Sequence, residues 1–166
     1  MKSVNYSKLI FDKINSMKPD EPEEVTLIKI SNDDKVGSLI NLLYCIKESA
    51  KDIHYNYCNG PDFYSIHILM DRICENLDDY IDEIKEKYYM SLGMEVPSPI
   101  NTYSQVLNLL PEKSNLNILK CFINDGIELV KTLIGNCPGF DDLLGKIASD
   151  LLTKVALVNK SIRRGE

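Results

Sequence analysis

DFYSIHILMDRICENLDDYIDEIKEKYYMSL, residues 62–92, carries apolar side chains at Phe63, Ile66, Met70, Ile73, Leu77, Ile81, Ile84 and Tyr88. Steps of three and four residues over this length predict one long amphipathic helix from Asp62 to Leu92. Asn59-Gly60-Pro61-Asp62 is a strong turn before it, with proline placed to start a helix, and Gly93 stops it. Working upstream, Ser31-Asn-Asp-Asp offers N-cap residues, and Lys35–Tyr57 repeats the pattern at Val36, Leu39, Ile40, Leu43, Ile46, Ala50, Ile53 and Tyr57. Downstream, Val96-Pro97-Ser98-Pro99 reads as a loop and Tyr103–Leu110 as a short helix. A third long helix spans Lys113–Ile134 up to Gly135, Asn136–Gly139 turns the chain, and a fourth runs over Asp141–Ile162. The expected fold is all-α, a four-helix bundle. The longest link joins helices two and three, room for a crossover that carries the short helix.

The chain has 166 residues, with 44% hydrophobic and 27% charged residues, ordinary for one globular domain. No stretch approaches the run of about 18–20 apolar residues that a bilayer crossing needs, and the N-terminus lacks the apolar core of a secretory signal, so a cytoplasmic protein is expected. The net charge of −6, from 19 Lys+Arg against 25 Asp+Glu, lacks the basic footprint of a dedicated nucleic-acid binder and suits cationic ligands. The five cysteines, Cys45, Cys58, Cys74, Cys121 and Cys137, are scattered with no CxxC, as reduced thiols are. Residues 1–33 read as an N-terminal extension, with a short helix at Tyr6–Met17, an acidic two-proline linker at 18–24 and a β-favouring run at Val25–Ile30, ahead of the domain at 34–166.

The two histidines, His54 and His67, flank the turn at Asn59-Gly60. His54 follows Val36 by about five whole helical turns, which puts it at or beside the apolar face of the first helix. With His67 at 0° on the second helix, Asp71 falls at about 40°, Asp82 at about 60° and Glu86 at about 100°, with Glu75 and Asp78 in the same stripe, while the apolar set centres near about −80°. The stripe therefore looks away from its own bundle's core. His67 and Asp71 are one turn apart and can share an ion, as can Asp82 and Glu86. The two pairs lie roughly 16 Å apart along the helix, too far for one ion to touch both within one chain. An antiparallel copy of the helix would bring one chain's second pair onto the other's first pair, twice per twofold dimer. Imidazole with carboxylate suits Fe(II) and other first-row divalent ions. The competing reading is a solvated acidic face, with Asp82 and Glu86 close to Lys85 and Lys87.

At these residues the sequence resembles the Dps family of ferritin-like mini-ferritins. The resemblance is carried by His54-Tyr55-Asn56, by Gly60 to Ile66 and then His67 and Asp71, by Tyr80-Ile81-Asp82-Glu83-Ile84-Lys85-Glu86, and by Ser91-Leu92-Gly93, and it covers roughly residues 34–164. Asn101-Thr-Tyr-Ser resembles the family's small helix between the second and third long helices, and Phe140-Asp-Asp-Leu-Leu the start of its last one. Two departures stand out. The chain has no tryptophan, and Tyr55 stands where the family's usually lies. The spacing from His54 to His67 is one residue longer than usual. If the extra residue sits in the turn near Cys58-Asn59, His54 keeps the ligand position; if it sits in the helix, Tyr55 takes that position. The helical wheel favours His54.

The resemblance implies a ferritin-like four-helix bundle and a dodecameric shell built on twofold dimers. It implies ferroxidase sites at the twofold interfaces, with His54, His67 and Asp71 from one subunit and Asp82 and Glu86 from its partner. Fe(II) would be oxidised there by hydrogen peroxide or oxygen and stored as ferric mineral, protecting against oxidative stress. Asp71 and Glu86 would anchor the ion, His54 and His67 add nitrogen ligands, and Asp82 bind or orient a ligand. Asp141, Asp142 and Asp150 are candidates to line an iron-attracting pore, or else a helix cap and surface charge. DNA binding through Lys2, Lys8, Lys13 and Lys18, or through Lys160, Arg163 and Arg164, is disfavoured by the acidic run Asp20–Glu24 and the net charge. Two other expectations compete: a Dps-like shell whose weakened metal site leaves it a structural or DNA-binding particle, and a helical interaction module without metal.

Overall fold

A computed structural model describes residues 32–56, 61–135 and 139–162, without the side chains of residues 32–34. Residues 1–31, residues 57–60 (one of the two placements of the extra residue), Cys137 and the basic residues Arg163 and Arg164 lie outside the described residues.

Among the described residues every regular element is helical: α1 Asn32–Asn56, α2 Phe63–Cys74, α3 Leu77–Ile84, a π-helical turn Lys85–Met90, α4 Pro99–Leu109, α5 Leu116–Leu133 and α6 Asp141–Ile162. Helix α1 packs on α2, α4 and α5, while α6 packs on α5 and on α2 and α3. The helices thus form a bundle around a single core.

On α1 that core is the apolar set the periodicity picks out. Val36, Leu39, Leu43, Ile46, Ala50 and Ile53 of α1 face Leu119, Phe122, Ile123, Ile127 and Val130 of α5 and Leu144, Ile147, Leu151 and Val158 of α6, all fully or almost fully buried. Gly126 lets α5 and α6 approach closely, since a Cβ there would meet Leu151 Cδ1 at 3.1 Å. Local chemistry sets the ends. Asn115 caps α5 by accepting from the amides of Asn117 and Ile118 at 2.9 and 3.0 Å. Pro99 opens α4. The short helix therefore starts at Pro99 rather than Tyr103, because proline's fixed φ already suits the first helical turn.

The second long helix departs from expectation. It is not continuous from Asp62 to Leu92. At Glu75 ψ is 141°, and Asn76 sits in the left-handed region at φ 64°. The flanking bonds survive, with Glu75 N donating to Asp71 O at 3.2 Å and Tyr80 N to Asn76 O at 3.0 Å. The break is therefore confined to two residues. Further along, Ser91 N donates to Glu86 O at 3.1 Å, a five-residue step in place of four. The wider π turn lets the consecutive residues Tyr88 and Tyr89 both be buried. At its end Gly93 has φ 66°, a backbone that glycine adopts without strain.

Cys45, Cys74 and Cys121 form no disulfide. Burial pushes the Cys45 thiol from 9.0 up to about 12. Burial, and then the Asp150 carboxylate beside it, push the Tyr80 hydroxyl from 10.0 up to about 12. Both groups stay protonated in the folded chain but release their protons earlier when unfolded. Their contribution to stability is therefore complete below about pH 9 and falls as the pH rises toward 12. Urea unfolding midpoints should be lower at about pH 11 than at about pH 8, and Cys45 should resist thiol reagents at neutral pH until the chain unfolds.

Candidate metal centre

The last turn of α1 and the first turns of α2 meet side by side. Ile53 at the end of α1 and Ile66 at the start of α2 are buried, and they hold the neighbouring residues His54 and His67 face to face. The two imidazole rings lie 3.7 Å apart between centroids at an angle of 35°. His54 Nδ1 is 3.2 Å from Asp71 Oδ1. One ligand atom each from His54, His67 and Asp71 falls within 4.8 Å of the others, a spacing that one metal ion could bridge. No other group of three or more His, Cys, Asp or Glu ligand atoms among the described residues comes this close together.

The environment is graded. The His54 side chain is 17% exposed and that of Asp71 61%, so nitrogen donors line the inside and the carboxylate faces outward. His67 Nδ1 is buried with no hydrogen-bond partner. A buried ring nitrogen without a partner costs free energy of about 1–3 kcal/mol, and an ion bound at Nδ1 would relieve it. The Phe63 ring stands 5.5 Å from His67, and the Tyr55 ring meets His54 edge-on at 4.9 Å. Tyr55 itself is 69% exposed. It is thus His54 that stands against His67 and Asp71, with Tyr55 turned outward.

Asp82 and Glu86 stand apart from this cluster within the chain, beyond the break. Asp82 is exposed on α3 with Lys85 Nζ at 3.5 Å, and Glu86 is exposed on the π turn. The other candidate acids have partners inside the chain. Asp141 Oδ1 accepts from Gly135 N at 2.9 Å, and Asp150 accepts from Lys154 Nζ at 2.6 Å and from the Tyr80 hydroxyl. Asp142 remains exposed.

Two features escape the sequence reading. Phe63, at the base of α2, walls one side of His67. Lys154, only 2% exposed, occupies a core position of α6. Its signal was present: Ile147, Leu151, Lys154 and Val158 follow the apolar step of the helix, with a lysine where a hydrophobe belongs.

Scanned against models of known protein families, the chain matches none, and a comparison with curated proteins finds no match either. Among the described residues no helix is long and apolar enough to cross a membrane.

Proposed function

We propose that this chain is an iron-oxidising and iron-storing mini-ferritin of the Dps type, its bundle ferritin-like, its subunits assembled as twofold dimers into a dodecameric cytoplasmic shell. The observation that carries the reading is the convergence of His54, His67 and Asp71 at the junction of α1 and α2. Two imidazoles and a carboxylate are a donor set suited to Fe(II). Iron here is substrate and cargo.

Three donors leave an ion short of ligands, and the exposed pair Asp82 and Glu86 continues the stripe that begins at His67 and Asp71. On this reading a twofold partner supplies that pair, which adds negative charge opposite the imidazoles. The surface around the cluster supports a covered site. Tyr55, Phe63, Tyr64 and Ile68 are exposed large apolar residues near the same end of α1 and α2, surface that a partner chain would cover on this reading. Asp71 would offset the ion's charge while the neutral histidines bind through nitrogen. Protons compete for the same lone pairs, so binding weakens with acid. Each Fe(II) yields one electron, and one peroxide accepts two of them to leave as water or hydroxide, which avoids the one-electron route to hydroxyl radical.

One route to the weakened-site reading, Tyr55 in the ligand position of His54, is disfavoured by the exposure of Tyr55. The test is direct. Apo-protein loaded anaerobically with Fe(II) and then given hydrogen peroxide should carry ferric iron through a sizing column as a large particle, in excess of the few ions its sites can hold. A large particle without iron would restore the weakened-site reading, and a small iron-free species would remove the mini-ferritin reading altogether.

A further inference from the structure

At the break, Cys74-Glu75-Asn76-Leu77 contains neither proline nor glycine, and its one local cue is Asn76, which tolerates the left-handed conformation but does not impose it. The core does not demand the break either. Ile66, Met70, Ile73, Leu77, Tyr80, Ile81, Ile84 and Tyr88 are all buried, and their steps of three and four residues continue through the break as in an unbroken helix. A straight helix would bury the same side chains. With ψ at 141°, the Glu75 carbonyl turns out of the helical ladder, one of several ladder acceptors that the break sets free.

That carbonyl is taken by Lys154. Its Nζ donates to Glu75 O at 3.0 Å and to Asp150 Oδ2 at 2.6 Å. Asp150 also accepts from the Tyr80 hydroxyl, on the far side of the break. Lys154 is the one charged residue among the described residues whose side chain is buried in the core, and burying an ammonium is favourable only when several acceptors surround it. A diverted peptide carbonyl and a carboxylate supply them.

We infer that Lys154 is a positioning residue: by capturing the Glu75 carbonyl it imposes the break, and so sets the direction of the α3 segment that carries Asp82 and Glu86 relative to the α2 segment that carries His67 and Asp71. The mechanical part stands on the fold alone. Its consequence for iron rests on the proposed function, because a shared site needs both segments aimed correctly.

The mechanical part is tested without iron, by amide hydrogen exchange across residues 75–80 in the whole protein. In Lys154→Met, which keeps the volume but removes the donors, the Glu75 carbonyl returns to the ladder, and exchange over this segment should slow by about tenfold. Lys154→Arg, which restores charge and donors, should recover the wild-type rate. Unchanged exchange in folded Lys154→Met overturns the inference. Should that variant fail to fold, Asn76→Ala, at an exposed position, carries the test. Alanine resists the left-handed conformation, yet with Lys154 in place the break should persist and exchange remain as in wild type. Closure of the helix in Asn76→Ala would show that Asn76, not Lys154, holds the break. Fe(II) oxidation by Lys154→Met should also fall by about tenfold and be recovered in Lys154→Arg. A wild-type protein that handles no iron would defeat the proposed function while leaving the exchange result intact.

Discussion

Replacing His67 with alanine should lower the initial rate of Fe(II) oxidation on the order of a hundredfold, with a comparable loss of anaerobic Co(II) binding. The reason is the geometry at the α1–α2 junction. His67 belongs to the cluster, stacked on His54 at 3.7 Å and one helical turn before Asp71. Its removal takes away one of the three converging donors, and replacing even residues that only orient a ligand typically costs about 10–100-fold in metal affinity or activity. The fold should tolerate the change. His67 is only partly buried, and its Nδ1 has no hydrogen bond to lose. The melting temperature of the apo-protein is therefore expected to hold or rise slightly. Asp71→Asn should give a similar loss of oxidation, because it keeps the shape and removes the charge that offsets the ion. Tyr64→Phe, at a neighbouring exposed position, should leave the rate near wild type. If His67→Ala and Asp71→Asn both oxidise iron at the wild-type rate, the cluster is only a polar surface feature.

The sequence made the helices legible because the bundle writes its core as a repeated step. Val36 to Ile53, Leu119 to Val130 and Leu143 to Val158 are buried where that step puts them. His54 was legible for the same reason. Its direction matches Val36 and Leu43, so it turns inward to His67, while Tyr55, one residue on, points out. The break was not legible, because its cause lies on α6, 79 residues away from Glu75. A long-range hydrogen bond to a main-chain carbonyl leaves no mark of its own in the broken segment, where Asn76 was the one local cue. The π turn was hidden in another way: the pair Tyr88-Tyr89 asks for two adjacent buried positions, which an α-helix supplies poorly and a widened turn supplies well. Pairing of Asp82 and Glu86 with a neighbour depends on a surface the single chain does not contain.

Mixing two inactive variants should restore activity, to about a quarter of the wild-type level. The variants are His67→Ala, which damages the nitrogen-rich half of each site, and Glu86→Ala, which damages the acidic half. Each homodimer carries the same defect at both of its sites, so each should oxidise iron slowly. A mixed dimer distributes the defects unevenly. One site combines the damaged His67 half of the first chain with the damaged Glu86 half of the second. The other combines the intact His54, His67 and Asp71 of the second chain with the intact Asp82 and Glu86 of the first. Dissociation and random reassembly of an equal mixture makes about half of the dimers mixed, each with one whole site of two, which gives the quarter. The experiment reads whether the exposed acids beyond the break serve the cluster of another chain. It does so without assuming how the chains dock, since only a site shared between subunits can be rebuilt from two chains that are each defective. Recovery at this level would require Asp82 and Glu86 to reach across a twofold axis. If Glu86→Ala alone oxidises iron at the wild-type rate, Glu86 is the solvated surface acid its exposure permits, and if both variants are slow but the mixture shows only their average, the acids of one chain do not serve the cluster of another.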